Sequence, residues 1–264
     1  MPRRPRFRGR FFCALAAGLL LPFGLAAREY DEYRREAPAV FQIPEAPAAH
    51  EGDFSAYDLA GVRAGDWVEF DVLIASAAGE GGLLQMRIAC VAESPETLWI
   101  EGDDVILARF WPGTSFLYEV DRGTRVVRRA WWGKPGEIPV EAAVGRVALA
   151  REPDREVARR GQTEPQELRV ADRTLACERV TYREGSPETG WGGETTAWMC
   201  ADVPFPRRVS LSRADAEIVW NQAPTVRGGI VREIYRGRAV TTVTRLTAWG
   251  KDARARMVPP AGSR

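Results

Sequence analysis

The sequence predicts a mainly β protein with a small helical part, that is, a β-rich α+β fold. Residues 67–74 alternate between apolar and mostly polar side chains, which is the period-two pattern of a half-buried strand. Glycine-containing turns separate several such runs, and residues 239–249 are dense in threonine and valine, which favour strands. We therefore expect a single β-rich domain over residues 57–250.

The first 27 residues are typical of a secretory signal peptide. Five arginines and no acidic residue lead into the apolar run Phe11–Leu25, which closes on Ala26 and Ala27. The run is shorter than the ~20 residues that a membrane-spanning helix needs, and it contains a proline. We expect cleavage near Ala26 or Ala27 and export to the periplasm or beyond, with an uncleaved membrane anchor as the alternative.

The segments that flank the expected domain have biased compositions. Residues 28–56 are rich in alanine and proline and predict a disordered linker, and residues 251–264 predict a disordered basic tail. Removal of the five signal arginines changes the formal charge from +1 to +1 − 5 = −4, which argues against a nucleic-acid partner. No second apolar run approaches membrane length, so we expect no transmembrane span in the mature chain. The sequence predicts no oligomeric state.

The strands follow in order along the domain. The run Trp67–Ile74 and the run Leu84–Cys90 predict a first hairpin, and Leu98–Glu101 predicts a short third strand. Phe116–Val120 and Thr124–Trp131 flank an Asp-Arg-Gly turn, in which we expect the glycine to adopt the left-handed conformation.

Two further segments are assigned less directly from their patterns. Residues 139–151 predict a helix, because Pro139 suits a first helical position and Val140, Val144 and Val147 share one face. Residues 105–111 fit either a short helix or a strand, since they are apolar on most sides.

Cysteine spacing predicts a hairpin between residues 175–183 and 194–202. If Cys177 lies opposite Cys200, Arg179 meets Trp198 and Thr181 meets Thr196, both of which are favourable cross-strand pairs. A slip by one residue would break every such pair. We therefore expect a Cys177–Cys200 disulfide in the oxidising destination, with two buried free thiols as the alternative. Cys90 is expected to be a small core residue.

Few residues in the domain could support catalysis. His50 is the single histidine and lies in the Ala/Pro-rich linker, which excludes a histidine-based triad or zinc site in the domain. No phosphate-binding loop of the Walker type occurs, and we expect no cofactor and no metal. Glu101, Asp103 and Asp104 cluster after a strand; they fit a turn, with a carboxylate-dependent hydrolase as the alternative.

Nine tryptophans lie in the domain, several where strict alternation would place a polar residue. One interpretation is a thick β core with some exposed rings. The other is an aromatic-lined cavity or concave face for an apolar or sugar-like ligand. The candidate ligand-binding residues on that second interpretation are Trp99, Trp111, Trp131 and Trp132.

Four fragments of the domain resemble a broad group of exported bacterial proteins with the LolA/LolB-like, or lipoprotein-carrier, fold. They are Ala64-Gly-Asp-Trp-Val-Glu-Phe, Leu98-Trp-Ile-Glu, the segment from Ala197 through Trp-Met-Cys-Ala-Asp-Val-Pro-Phe-Pro-Arg-Arg to Val209, and Leu246-Thr-Ala-Trp-Gly. They occur in the same order and span residues 62–250. The chain departs from the group where Phe205-Pro-Arg-Arg follows Val-Pro, since the group often has a glycine there.

This resemblance implies a strongly curved antiparallel sheet, an incomplete barrel, with one or two helices covering its concave side. In the named carriers that cavity accepts acyl chains, and the group supplies no catalytic residue that matches this chain. We therefore expect an exported, non-enzymatic protein that binds a lipid, a lipoprotein or another envelope component in an aromatic-lined concave face. The alternatives are an envelope protein–protein interaction module and the carboxylate-dependent hydrolase.

Overall fold

The computed structural model describes residues 47–76, 81–103, 111–145, 159–185, 192–212, 225–237 and 240–258, and its regular structure consists of strands. The expected signal peptide, Asp104 and residues 146–151 of the expected helix lie outside the described residues. The described strands are β1 (Ala48–His50), β2 (Trp67–Ser76), β3 (Gly81–Glu93), β4 (Thr97–Gly102), β5 (Ser115–Asp121), β6 (Val127–Gly133), β7 (Val140–Gly145), β8 (Arg159–Val170), β9 (Arg173–Gly185), β10 (Gly192–Cys200), β11 (Arg207–Ser212), β12 (Thr225–Gly237) and β13 (Val240–Gly250).

These strands form one open, curved sheet. Their order is β1-β7-β6-β5-β4-β3-β2-β13-β12-β10-β9-β8-β11, and β11 also pairs with β12. Most neighbours are antiparallel, while β1 runs parallel to β7 and β11 runs parallel to β8. Register shifts interrupt the ladders of β3, β5, β10 and β13, and such bulges bend strands and increase their twist. The curvature of the sheet follows from these local interruptions.

The expected β fold is confirmed, and several predicted strands pair as their patterns indicated. In the first hairpin Val68 lies opposite Ile88 and Val72 lies opposite Leu84, so the apolar residues of both runs share a face. The predicted strand after residue 97 is β4, and the Thr/Val-dense segment is β13, which pairs with β2. Alternation therefore identified both the strands and the side of each that is buried.

The cysteine-bearing hairpin has the predicted register. Arg179 pairs with Trp198, Thr181 with Thr196 and Arg183 with Glu194. The guanidinium of Arg179 lies 5.8 Å from the centroid of the Trp198 ring, and the two threonine hydroxyls are 3.4 Å apart. The cross-strand pairs that were used to choose the register are thus present in β9 and β10.

The helix expected from residue 139 is wrong for its described part. Residues 140–145 form strand β7, which pairs with β6 on one side and with β1 on the other. Val140 and Val144 fit one face of a helix, but with Ala142 they also fit the alternation of a strand, and pairing with two neighbouring strands decides between the two patterns. No described residue is helical, so the covering helices of the expected fold are not found in the described part of the chain.

The turn between β5 and β6 differs from its prediction in one detail. The left-handed residue is Arg125, with φ 63°, and not the glycine at position 123. The carboxylate of Asp121 accepts hydrogen bonds from the backbone N–H groups of Gly123 and Thr124, at 3.0 and 2.8 Å. This Asx-type turn adds residues before β6 begins at Val127, which moves the left-handed position two residues along the chain.

An N-terminal stretch takes the place of the expected helix over the inner face of the sheet. We call residues 47–62 the covering segment, and the inner face is the side of the sheet that carries Val68, Ile100 and Tyr118. Phe54, Leu59 and Val62 of the covering segment are buried against this face. The Phe54 ring meets the Tyr118 ring edge to face, with centroids 5.1 Å apart. The covering segment lies partly within the stretch expected to be a disordered linker, so the fold begins earlier than predicted.

The described residues contain no helix that is both long enough and apolar enough to cross a membrane.

Candidate ligand-binding cleft

An apolar cleft opens on the inner face between the sheet and the segments that cover it. It has a volume of about 210 Å³. Its floor comes from β2, β3, β12 and β13, and Tyr57 and Phe205 close it from above. The lining side chains are Tyr57, Val68, Phe70, Val72, Met86, Ile88, Phe205, Arg207, Ile230, Glu233, Thr242 and Thr244. We call this space the apolar cleft.

The sequence explains why this surface is apolar. Alternation in β2 sends Val68, Phe70 and Val72 to the inner face, and Met86 and Ile88 of β3 lie opposite them. Threonines 242 and 244 of β13 continue the floor on the other side of β2. The same period-two pattern that predicted the strands therefore also produces the lining of the cleft.

One ion pair stands at the wall of the apolar cleft. The Nη1 of Arg207 donates to Oε2 of Glu233 at 3.2 Å, and Nη2 donates to the Tyr57 hydroxyl at 3.4 Å. The guanidinium also lies 5.2 Å from the centroid of the Tyr57 ring. Tyr57 and Glu233 raise the pKa of Arg207 above its ordinary value, although burial opposes them, so this side chain stays cationic.

A second space, the polar cleft, lies beyond this ion pair. It has a volume of about 300 Å³ and shares Arg207, Glu233 and Thr242 with the apolar cleft. Its other lining residues are Ala56, Tyr182, Thr195, Arg208, Val209 and Tyr235. The inner face thus offers an apolar space and a more polar one, with a fixed guanidinium between them.

The predicted tryptophan site is distributed over two faces of the sheet. Trp99 and Trp131 stack with centroids 5.3 Å apart on the outer face, where Leu117 and Met257 pack against them. Trp132 points the other way and packs against the main core, as adjacent strand residues must. Trp111 lies in a bend before β5, where its carbonyl accepts a hydrogen bond from the Thr114 hydroxyl.

None of the four candidate tryptophans lines the apolar cleft or the polar cleft. The cleft residues were missed because sequence reasoning ranked positions by ring size and not by face. The signal that could have found them was the alternation of β2 and β3, read as a surface instead of as a strand assignment. Arg207 also lies in one of the fragments that carried the resemblance, where the chain departs from the group.

The carboxylates considered for hydrolysis have a structural role. Glu101 has no exposed surface, and its carboxylate accepts hydrogen bonds from Arg256 Nε at 2.5 Å and from the Arg256 backbone N–H at 2.8 Å. Asp103 accepts a hydrogen bond from Arg256 Nη2 at 2.7 Å and another from the Ser115 hydroxyl at 2.6 Å. Both acids therefore hold residues 251–258, which we call the C-terminal segment, against the outer face. This described part of the expected disordered tail is packed, and its Met257 is buried.

All three described cysteines are buried free thiols in the structure. Cys177 and Cys200 are brought near each other by the hairpin, and their thiols interact, but the disulfide expected from the sequence is not formed. Burial raises the pKa of Cys90 to about 12 and that of Cys177 to about 11. Cys90 lies in the core with no exposed surface, as expected of a small packing residue.

The described residues hold no group of three or more histidine, cysteine, aspartate or glutamate side chains arranged for a metal ion. His50 lies in β1, exposed, and its backbone N–H donates to the carboxylate of Asp53 at 2.9 Å.

Comparison with known proteins returns solved structures that resemble this chain at low TM-scores. No family model matches the chain, and no curated protein matches it. A LolA superfamily protein from Nitrosomonas europaea is 11% identical, with a TM-score of 0.27, over 80% of this chain and 96% of its own. LprF from Mycobacterium bovis is 14% identical, with a TM-score of 0.31, over 74% of this chain and 90% of its own.

A third solved structure is a putative outer membrane lipoprotein-sorting protein domain from Vibrio parahaemolyticus. It is 8% identical, with a TM-score of 0.27, over 70% of this chain and 83% of its own.

Proposed function

We propose that the protein is exported and binds the apolar part of a lipid or lipoprotein in the apolar cleft. The observation that supports this most directly is the cleft itself, whose floor is built from aliphatic, aromatic and methionine side chains. Ligand sites are typically concave and mostly apolar with a few polar groups, which is the composition found here. At about 210 Å³ the apolar cleft is narrow, so it suits a single chain better than a bulky ring system.

A substitution that fills the cleft tests the proposal. Thr244 lines the apolar cleft from β13, opposite Val72. Replacing Thr244→Phe should abolish uptake of a fluorescent fatty acid, because the ring occupies the space that an acyl chain needs. The matched control is Thr241→Phe, which places the same ring on the same strand but on its other face.

Titration of both variants with the fluorescent fatty acid gives the readout, beside lipid extraction and mass spectrometry of natively purified protein. Uptake that is equal in both variants, or a wild-type protein that neither carries nor takes up lipid, would overturn the proposal.

The envelope-interaction alternative has one observation in its favour. Ile138, Val140 and Val258 are 78%, 59% and 47% exposed, and the Val258 backbone N–H donates to Glu137 O at 3.4 Å, which brings the C-terminal segment to the start of β7. On this alternative, crosslinking in cells from Ile138 should recover one dominant protein while lipid is absent from the purified chain.

A further inference from the structure

Arg207 is held at the boundary of the two clefts from several sides. Glu233 and Tyr57 accept one hydrogen bond each from its terminal nitrogens, and its backbone pairs with Gly228 and forms a bridge with Tyr57. A guanidinium that is fixed in this way needs little reorganisation to receive a ligand group.

The guanidinium also has donor capacity to spare. Its Nε is buried and has no hydrogen-bond partner among the described residues. The pair with Glu233 is made through one nitrogen at 3.2 Å, whereas arginine and carboxylate can form two parallel bonds. A buried donor without a partner is costly, and an incoming acceptor would remove that cost.

The charge around the boundary is positive. Among the residues that line the two clefts, Arg207 and Arg208 are cationic and Glu233 alone is acidic. The apolar cleft on one side contains no other charged side chain. The combined space therefore has an apolar end and a net cationic end, which is complementary to a molecule with an apolar chain and an anionic group.

We propose that the two clefts together bind an amphiphile with an anionic end, a carboxylate or a phosphate, and that Arg207 receives that end. The inference rests on the proposed function and specifies the class of ligand for the same site. The chain of the amphiphile lies on the floor formed by β2, β3 and β13. Its anionic group meets Arg207, from which it accepts charge-assisted hydrogen bonds.

Isothermal titration calorimetry with three twelve-carbon compounds tests the inference. Dodecanoate and dodecyl phosphate should bind wild-type protein about tenfold or more tightly than dodecanol, a difference typical of a charged hydrogen bond. The two anions also distinguish the source, since preference for the phosphate indicates a phospholipid and preference for the carboxylate indicates a free fatty acid.

Two variants and a control attribute the preference to Arg207. Arg207→Gln should reduce the affinity for the two anions by about tenfold more than it changes the affinity for dodecanol, so that the preference for the anions is lost. Glu233→Gln should strengthen anion binding, because it removes the competing carboxylate, and it keeps the test valid if the first variant does not fold. Arg183→Gln, at a side chain that is 83% exposed, should change nothing.

The outcomes separate the two proposals. Equal binding of dodecanol and the anions, or an anion preference that neither cleft variant alters, overturns the assignment to Arg207 and leaves the apolar site intact. Absence of binding by all three compounds overturns the proposed function itself.

Discussion

The carboxylate of Glu101 is fully buried, and its partners come from β3 and the C-terminal segment. Arg256 contacts it through both its side chain and its backbone, and Arg87 Nη1 approaches it to 3.6 Å. The backbone N–H of Met257 adds a bond of 3.2 Å. A buried carboxylate is tolerated only when it is paired in this way, so the position of the C-terminal segment and the burial of Glu101 depend on each other.

Removal of the arginine should therefore destabilise the fold. Arg256→Ala should lower the free energy of unfolding by roughly 2–3 kcal/mol, less than for a wholly buried pair because the Arg256 side chain is 31% exposed. Urea unfolding followed by tryptophan fluorescence measures the change. Arg254→Ala, at an exposed position in the same segment, is the control. A loss equal to that of the control would contradict the structural role of the ion pair.

Because the Cys90 thiol is buried, the free energy of unfolding should fall at alkaline pH. The folded state keeps the Cys90 proton until about pH 12, while the unfolded chain releases it near its ordinary pKa of 9.0. The stability that this thiol contributes is complete below pH 9.0 and is lost as the pH rises toward 12. At about pH 10 the loss should be about 1.4 kcal/mol for this one group.

The measurement compares wild type and Cys90→Ala by urea unfolding at neutral pH and at about pH 10. Wild type should lose more stability across this interval than the variant does, whatever the stability of the variant at neutral pH. An equal loss of stability between the two pH values in both proteins would show that the Cys90 thiol does not titrate as its burial requires.

At the scale of elements, the C-terminal segment passes the residues before β2 at Gly65, and this contact holds the C-terminal segment in place. Gly65 has φ 99°, a conformation that side chains rarely adopt, and it donates its N–H to Cys90 O at 2.8 Å. Its carbonyl accepts a bond from the Ala253 N–H at 2.8 Å. A Cβ added here would lie 2.4 Å from Lys251 O, so only glycine allows the close approach.

Gly65→Ala should release the C-terminal segment and cost roughly 2 kcal/mol of stability, through backbone strain and the lost contact. Limited trypsin digestion gives the readout, because Arg254 and Arg256 should become accessible before the rest of the domain. Gly61→Ala is the matched control, since a Cβ there meets nothing within 4 Å. Cleavage at the same rate in both variants would show that the contact at Gly65 does not hold the C-terminal segment in place.

The elements also show where sequence patterns were sufficient. The register of β9 and β10 was predictable because each cross-strand pair was of a favourable type and a one-residue slip would have lost them all. The strand at residues 140–145 was not predictable, because the spacing of its apolar residues fits both a helical face and a strand. Only the neighbours β1 and β6 decide between them, and β1 comes from a segment whose composition predicted disorder.

At the scale of the whole molecule, the proposed export can be tested at the N-terminus. Protein recovered from the periplasm should begin near Ala27 or Arg28, because the first 27 residues have the pattern of a cleaved signal peptide. Mass spectrometry of the intact chain measures where it begins. A periplasmic protein that retains residues 1–27 would contradict this expectation.

The candidate site was the least predictable part of the molecule. Its floor follows from the alternation of β2, β3 and β13, which the sequence shows plainly. Its walls come from Tyr57 on one side and from Phe205 and Arg207 on the other. Tyr57 is distant in the chain from the other two, and they meet only because the covering segment forms a bridge with β11. The prediction instead chose large aromatic side chains such as Trp99 and Trp131 as ligand-binding residues. The structure places these two beneath the C-terminal segment.

The sequence by itself determined the strands, the buried side of most of them and the register of the cysteine hairpin. These properties depend on local periodicity and on pairs between neighbouring strands, which a one-dimensional pattern records. Only the tertiary structure decided which segments cover the inner face, which carboxylates are structural and where the guanidinium of Arg207 lies. Those properties depend on contacts between residues distant in the chain, whose free energies arise from burial and ion pairing that no local pattern encodes.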